Sequence, residues 1–329
     1  MKAAWYEHQG PAGRVLVVGE MPDPYPSTGE VRIRLAASGI NPGDLKKREN
    51  AFGIGMPYPR IIPHSDGAGV IDRVGDGVPP ERVGERVWCF GAQSYRPFGT
   101  AAEFTVVPAQ QAIALPDAVG FEIGACLGIP ALTAHRAVHA GGPVGGRCVL
   151  IQGGSGAVGC LAVGLSRHAD AALVAATVRS AAGEDVARRA GAHHVLRTDG
   201  VEWRTVADEL RRVAPGGFHH VVEVAFDANV EVDTMVLANE GSIAAYATND
   251  PRPAIPFWDL LFRNARILLL GSDDFRLEQK LSAANDVNQM LSLGWQGLRL
   301  EKTFRLQEIA AAHEYVGNKR GAGRVVLVL

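Results

Sequence analysis

The chain has 329 residues, 47% of them apolar, with 33 Lys and Arg against 35 Asp and Glu and a formal net charge of -2. That length supports one large or two ordinary domains, and so small a charge gives no field to draw nucleic acid or an anionic membrane surface. The opening MKAAWYEHQG lacks the apolar run and small-residue cleavage site of a signal peptide, no uncharged apolar stretch reaches about 18 residues, and Cys89, Cys126, Cys148 and Cys160 form no C-x-x-C pair, so the expectation is a reduced, cytoplasmic protein without membrane span, disulfide framework or four-cysteine zinc.

The first third reads as strand and turn. In EVRIRLAAS, Val31, Ile33 and Leu35 alternate with Arg32 and Arg34, the pattern of a half-buried strand. GAGVIDRVGDGV, GERVWCF and AEFTVVP predict further strands separated by glycine turns. Near residue 121 the character changes. RCVLIQ predicts an apolar strand, AVGCLAVGLSRH a helix, AALVAATV a strand, EDVARRAG a helix and HHVLR a short strand. A helix over 201–213, the strand HHVVEVA, a helix near 230–237, and the strands GSIAAYA and ARILLLGS follow. His193–His194 and His219–His220 start strands and read as surface residues without a function. Apolar strands alternating with helices predict a parallel sheet covered on both faces. Helices near 277–293 and 306–317 precede a last strand, GRVVLVL. The predicted class is α/β: a β-rich domain over 1–120 and 273–329, interrupted by a doubly wound domain over 121–272.

LIQGGSGAVG follows an apolar strand and opens a helix. Gly154, Gly156 and Gly159 fit G-x-G-x-x-G, with Gly153 in the same turn. The first glycines permit a tight turn, Gly156 lets backbone approach a pyrophosphate, and Gly159 lets helix and strand pack closely. The helix start then offers free N–H groups and a positive dipole end to phosphates. An NAD site wants Asp or Glu about 20 residues on, at the end of the second strand. Here stand Thr177, Val178, Arg179 and Ser180, with no acid before Glu184. Arg and Ser hold a 2′-phosphate that a carboxylate would repel. Arg197, after the third strand, adds a second cation, and the predicted cofactor is NADPH.

SGINPGDLKKR, PRIIPHSDGAGVIDRVGDGV, GERV, LGIPALTAHRAV, VLIQGGSGAVG, AGAHHVL and the terminal AAHEYVGNKRGAGRVVLVL occur in one order. Together they resemble the medium-chain dehydrogenase/reductase superfamily and, within it, the zinc-free quinone oxidoreductases of the zeta-crystallin type. The resemblance implies a GroES-like catalytic domain, a Rossmann domain, NADPH in a cleft between them, and a homodimer or homotetramer. It places further cofactor contacts on Ser155, Ala157, Val158, Thr198, Asn229, Tyr246, Ala247, Thr248, Gly271 and Ser272. Residues 246–248 and 271–272 also follow predicted strands, on the edge where such sheets bind ligands.

Zinc-dependent members of that superfamily carry a cysteine where this chain has Asn41, a His-Glu pair where it has Ser65 and Asp66, and a second cysteine near Ile129. His64 stands one residue early and Cys126 in a different register. A catalytic zinc needs three protein ligands and an open position, so no metal is expected. His64 is expected to pack or cap a turn, and Asp66 to bond backbone. Without a Lewis acid, alcohol oxidation is disfavoured, whereas a quinone or an α,β-unsaturated carbonyl accepts hydride directly. Orientation and a few hydrogen-bond donors then suffice. Asn41 is the first candidate donor and Lys46 the second, at a position where relatives often carry tyrosine. Thr133 is the third, expected near the nicotinamide, and Tyr58 and Tyr95 are candidate substrate contacts. The expected activity is NADPH-dependent reduction of a small quinone or enone. The alternatives are an enoyl reductase for a biosynthetic or acryloyl-thioester substrate, with Lys46, Lys47 and Arg48 receiving the thioester, and a non-catalytic NADPH-binding protein.

Overall fold

The computed structural model describes residues 1–318 and 322–329, and the chain divides into two compact units. The first unit contains β1 (Lys2–Trp5), α1 (Ala12–Val15), β2 (Val17–Glu20), β3 (Glu30–Gly39), α2 (Pro42–Arg48), β4 (Asp66–Val74), β5 (Arg86–Cys89), β6 (Phe104–Pro108), β7 (Ala112–Ala114) and α3 (Phe121–Gly124). The unit boundary falls inside α4 (Gly128–His139), after Ile129. The second unit continues with β8 (Cys148–Ile151), α5 (Ala157–His168), β9 (Leu173–Val178), α6 (Ala181–Ala190), β10 (His194–Arg197), α7 (Trp203–Val213), β11 (Phe218–Glu223), α8 (Phe226–Val236), β12 (Leu237–Ala245), α9 (Phe257–Phe262), β13 (Arg266–Leu269) and α10 (Leu277–Ser292). The chain then returns to the first unit with β14 (Leu300–Arg305), α11 (Ile309–Asn318) and β15 (Arg324–Val328).

The first unit is built on a sheet in the order β14-β15-β3-β4-β5-β7, with β6 also on β3. The last strand closes it: Val326 of β15 lies opposite Gly39 of β3. Val31, Ile33 and Leu35 point into a core with Ile71, Val87 and Val107, as the alternation predicts. Arg32 does not face water, however. It is 4% exposed, bonded to Asp72 at 2.6 Å, with its guanidinium 4.5 Å from the centre of the Phe104 ring. A buried cation is tolerated because both its charge and its planar face are matched.

The second unit has the order β10-β9-β8-β11-β12-β13, every neighbouring pair parallel. Chain order reverses between β8 and β11, which makes the crevice beyond their carboxyl ends the natural place for a ligand. The central strands are apolar where helices cover them: Leu150, Val221, Ile243 and Phe218 share one core with Val206 and Leu210 of α7.

The boundaries differ from the division at 120/121 and 272/273 read from sequence. The short α3 belongs to the first unit, where a side chain on Gly124 would meet Ala68 at 2.9 Å. Helix α10 stays with the second, since Met290 and Trp295 press on Gly164 of α5 and Trp295 Nε1 donates to Ala190 O at 2.9 Å. The β1–β2 pair, α2 and β14 have no counterpart in the sequence reading. NPGD looks like a turn, yet Asp44 accepts the Asn41 N–H at 2.7 Å and so starts α2. His220 is a correction: it is 2% exposed, bonded to Ser242 Oγ at 2.7 Å and Ala137 O at 2.6 Å. None of the four cysteines is in a disulfide, and among the described residues no helix is long and apolar enough to cross a membrane.

Gly128 tests the closeness of packing. A Cβ there would sit 2.0 Å from Asp66 Oδ1, whereas one on Gly43 meets nothing within 4 Å. Gly128→Ala should lower unfolding free energy by about 1–3 kcal/mol or more, and Gly43→Ala should leave it unchanged or raise it by up to ~1 kcal/mol. Urea denaturation followed by circular dichroism separates them; equal midpoints would contradict the packing.

Candidate functional site

In the first unit the candidate residues gather round Asp66, which is fully buried. Asn41 Nδ2 donates to its Oδ2 at 2.5 Å and the Ile129 N–H to its Oδ1 at 2.8 Å. Arg324 NH2 donates to Asn41 Oδ1 at 2.9 Å. A guanidinium accepts nothing, so this bond fixes which end of the Asn41 amide faces Asp66. The carboxylate therefore meets a buried cation through one amide.

His64 lies beside this group, fully buried, in left-handed backbone at φ 74°. Its bonding partners determine its tautomer. Arg48 Nε donates to His313 Nδ1 at 3.3 Å. Burial lowers the His64 pKa to about 3, and burial with the His64 ring and the Arg48 charge lowers His313 well below its ordinary value, so both rings are neutral. His313 then carries its proton on Nε2 and donates to His64 Nε2 at 2.8 Å. His64 in turn donates through Nδ1 to Ser38 Oγ at 2.8 Å, Ser38 to Thr100 Oγ1 at 2.8 Å, and Thr100 to Asp66 O at 2.6 Å. Every donor points the same way, from Arg48 to the Asp66 carbonyl. The left-handed His64 backbone is held by this chain and by the Thr100 N–H on its own carbonyl at 3.0 Å.

This donor set does not fit a catalytic zinc. Asn41 and Asp66 bond each other, Ser65 and Ile129 supply no thiolate or imidazole, both His64 nitrogens are engaged, and Cys126 Sγ donates to Glu122 O at 3.0 Å. Lys46 is half-buried, its ammonium 6.0 Å from the Phe52 ring centre. Tyr58 donates to Tyr95 O at 2.5 Å, and the Tyr95 ring is 69% exposed. Arg48 is not free to receive a thioester as the alternative reading expected: it is 2% exposed, bonded also to Gly10 O and Glu49. His313 and Arg324 escaped the sequence analysis. The signal for His313 was its place on the buried face of α11 with Ile309 and Ala312.

In the second unit the glycine turn joins β8 to α5. Gly153 has φ 69°, a Cβ on Gly159 would lie 2.2 Å from Gly153 O, and one on Gly154 2.6 Å from Ala176 Cβ. Gly156 is exposed, with Ser155, Ala157 and Val158 half-buried at the helix start. The turn is supported from beneath. Thr177 Oγ1 accepts from Gly153 N at 3.2 Å and donates to Gln152 Oε1 at 2.5 Å; Gln152 Nε2 donates to Asp233 Oδ1 at 2.7 Å. Thr177 is thus a buried support for the loop rather than an open contact. Asp233 and Glu223 are both fully buried. Two such neighbours cannot both ionise, and burial with the Glu223 charge holds Asp233 well above the ordinary carboxylate range.

Arg179 is exposed at the end of β9, and Arg197 lies opposite the adjacent Val178 on β10, paired with Asp199 at 3.2 Å. Ser180 caps α6, accepting from Gly183 N at 3.1 Å, and Ser155 Oγ lies within 2.9 Å of where a Gly183 Cβ would stand. The sheet therefore brings Ser155, Arg179, Ser180 and Arg197 to one edge. Thr198 bonds Val178 O at 3.3 Å, Asn229 donates to Glu223 at 3.1 Å, and Thr248 donates to Asp227 at 3.1 Å. Tyr246 and Ala247 follow β12, and Gly271 and Ser272 follow β13, at the same carboxyl edge. Burial raises the Tyr246 phenol above its ordinary value. Thr133 is buried on α4.

Residues 27–117 match the alcohol dehydrogenase GroES-like domain family, and 157–285 the zinc-binding dehydrogenase family. A quinone oxidoreductase of Mus musculus is 28% identical over 317 residues, 93% of this chain and 91% of its own. A mycobacterial protein solved in complex with NADPH is 24% identical, with a TM-score of 0.86 over 100% of both chains. An NAD-dependent alcohol dehydrogenase gives the same identity, coverage and TM-score, so likeness of fold does not select the reaction.

Asp44 offers a pH test of the first unit. Burial raises its carboxyl to about 7 against the Asn41 N–H that lowers it, so the folded state binds the proton more tightly than the unfolded chain. The stability this adds is full below the ordinary carboxylate pKa and is lost as pH rises through about 7. Asp44→Asn keeps an acceptor for Asn41 and removes the titration. The melting temperature of wild type relative to Asp44→Asn should fall between about pH 4 and 7 and level off above; parallel curves would refute the assignment.

Proposed function

Since the chain belongs to the medium-chain dehydrogenase/reductase superfamily, with quinone oxidoreductases as its sequence relatives, we propose that it transfers hydride from NADPH to a quinone or an α,β-unsaturated carbonyl without a catalytic zinc. The observation that carries this reading is the Asp66–Asn41–Ile129 cluster, where the positions that hold metal in zinc-dependent relatives are closed by hydrogen bonds. NADPH supplies the hydride when bound. Everything else falls to the chain. The N–H groups at the start of α5 and the Gly153–Gly156 turn bind the pyrophosphate. Arg179 and Arg197 hold the 2′-phosphate, with Ser180, whose oxygen accepts from Gly183 and whose hydrogen remains to donate.

Reduction of a quinone or enone puts negative charge on the acceptor oxygen. Asn41 gives one amide hydrogen to Asp66 and retains the other; that hydrogen is assigned to the acceptor oxygen, with Lys46 of α2 as the cation for the developing charge. Tyr58 and Tyr95 are assigned to the substrate ring. Self-association, as homodimer or homotetramer, has support in the second unit. Strand β13 is a sheet edge, and Trp258, Phe262 and Leu269 are 66%, 75% and 76% exposed. Trp258→Asp should lower the mass measured by light scattering; an unchanged mass would remove this edge from the interface.

The deciding assay follows NADPH absorbance with metal-analysed protein offered a quinone, a simple enone, or an alcohol with NADP. Quinone or enone turnover that survives chelation supports the proposal, and zinc-dependent alcohol turnover overturns it. Arg179→Glu should raise KM for NADPH roughly 10- to 100-fold, the worth of a lost charge-assisted hydrogen bond, and leave KM for NADH within about twofold. Equal effects on both cofactors would detach Arg179 from the 2′-phosphate.

A further inference from the structure

Three side chains with no role so far meet in the second unit. His135 and His139 are four residues apart on α4, so their rings leave one face a turn apart, with centroids 4.6 Å from each other. Asp286, on α10, closes the group, its Oδ2 2.8 Å from His135 Nε2. One ligand atom from each residue lies within 4.8 Å of the other two. We propose that His135, His139 and Asp286 bind a divalent cation of the zinc class and clip α4 to α10.

The donors select the cation. Two imidazoles and one carboxylate suit Zn2+, and calcium and magnesium want oxygen cages. Tetrahedral zinc, with bonds of about 2.0–2.2 Å, spaces its donors roughly 3.3 Å apart. His135 and Asp286 are already near that spacing, and side-chain rotation closes the remainder. Coordination through His135 Nε2 moves that ring's proton to Nδ1, and the single His135–Asp286 hydrogen bond gives way to two bonds on one ion. The Asp286 side chain is 35% exposed, which leaves a path for the ion and for a water on the fourth position. The group is separate from Asn41, Asp66 and Ile129, which belong to the first unit.

The test uses the full chain, stripped with a chelator, then titrated with zinc chloride by calorimetry and with cobalt chloride by visible spectroscopy. One equivalent should bind, raise the melting temperature, and give the d–d bands of four-coordinate cobalt. His139→Ala and Asp286→Asn should each weaken zinc at least about tenfold and abolish those bands. Circular dichroism without metal confirms that each variant is folded, and Asp286→Asn, which retains an acceptor for His135, is the milder of the two. Cys126→Ser should bind as wild type does. Absence of stoichiometric binding, or binding unchanged in folded His139→Ala and Asp286→Asn, would overturn the proposal.

Discussion

The Asp66 carboxylate is the interaction on which the first unit depends. It sits at the first residue of β4, receives the side chain that precedes α2, and receives the backbone of the first turn of α4. One charged group thereby fixes three segments that are far apart in sequence. A buried carboxylate is tolerated only when its charge and its lone pairs are both met. Here the charge is met by Arg324 through Asn41, and the lone pairs by Asn41 and Ile129. The geometry demands space as well. A Cβ on Gly128 would run into the carboxylate, and one on Gly39 would meet Ala125 O at 2.0 Å. A metal seated here would have to displace these bonds together, because each partner is oriented by the next.

The hydrogen-bonded chain from Arg48 ends on the carbonyl of the same Asp66. Two buried arginines therefore bracket the group, one acting through an amide and the other through two imidazoles and two hydroxyls. Since neither guanidinium can accept, both series have fixed direction. Fixed direction means that the dipoles do not have to reorganise when charge develops nearby, which is the physical content of electrostatic preorganisation.

The fold was legible where periodicity follows burial. The alternation in β3 and the apolar runs of β8, β9 and β11 come from sheets covered on one or both faces, and the glycine turn is legible because close approach leaves no room for a side chain. The polar interior was not legible. Arg48 lies in LKKR, a run that looks solvated, and its partner His313 is 265 residues away. No local pattern marks such a pair, for a buried cation differs from an exposed one only in its distant partners. Helix α2 was missed for a related reason: Pro42 and Gly43 signal a turn, and the Asp44 bond that converts the turn into a helix start is a side-chain contact. Helix α10 was assigned to the wrong side because its amphipathic pattern shows that one face is buried and not what it is buried against.

The second unit meets the same electrostatic demand by another route. Beneath its glycine turn the first unit's amide-bridged arginine has no counterpart; instead Glu223 and Asp233 lie together, with burial and the Glu223 charge holding the Asp233 carboxyl well above the ordinary range. Gln152 and Thr177 carry that arrangement to the Gly153 N–H. The two solutions differ in what they expose to solvent conditions. An arginine stays charged at any pH a protein survives, so the bonds around Asp66 need no proton to be held. The support under the glycine turn instead rests beside a pair of buried carboxyls: ionising both would place two negative charges side by side in a medium that screens neither, which is why the Asp233 carboxyl is raised.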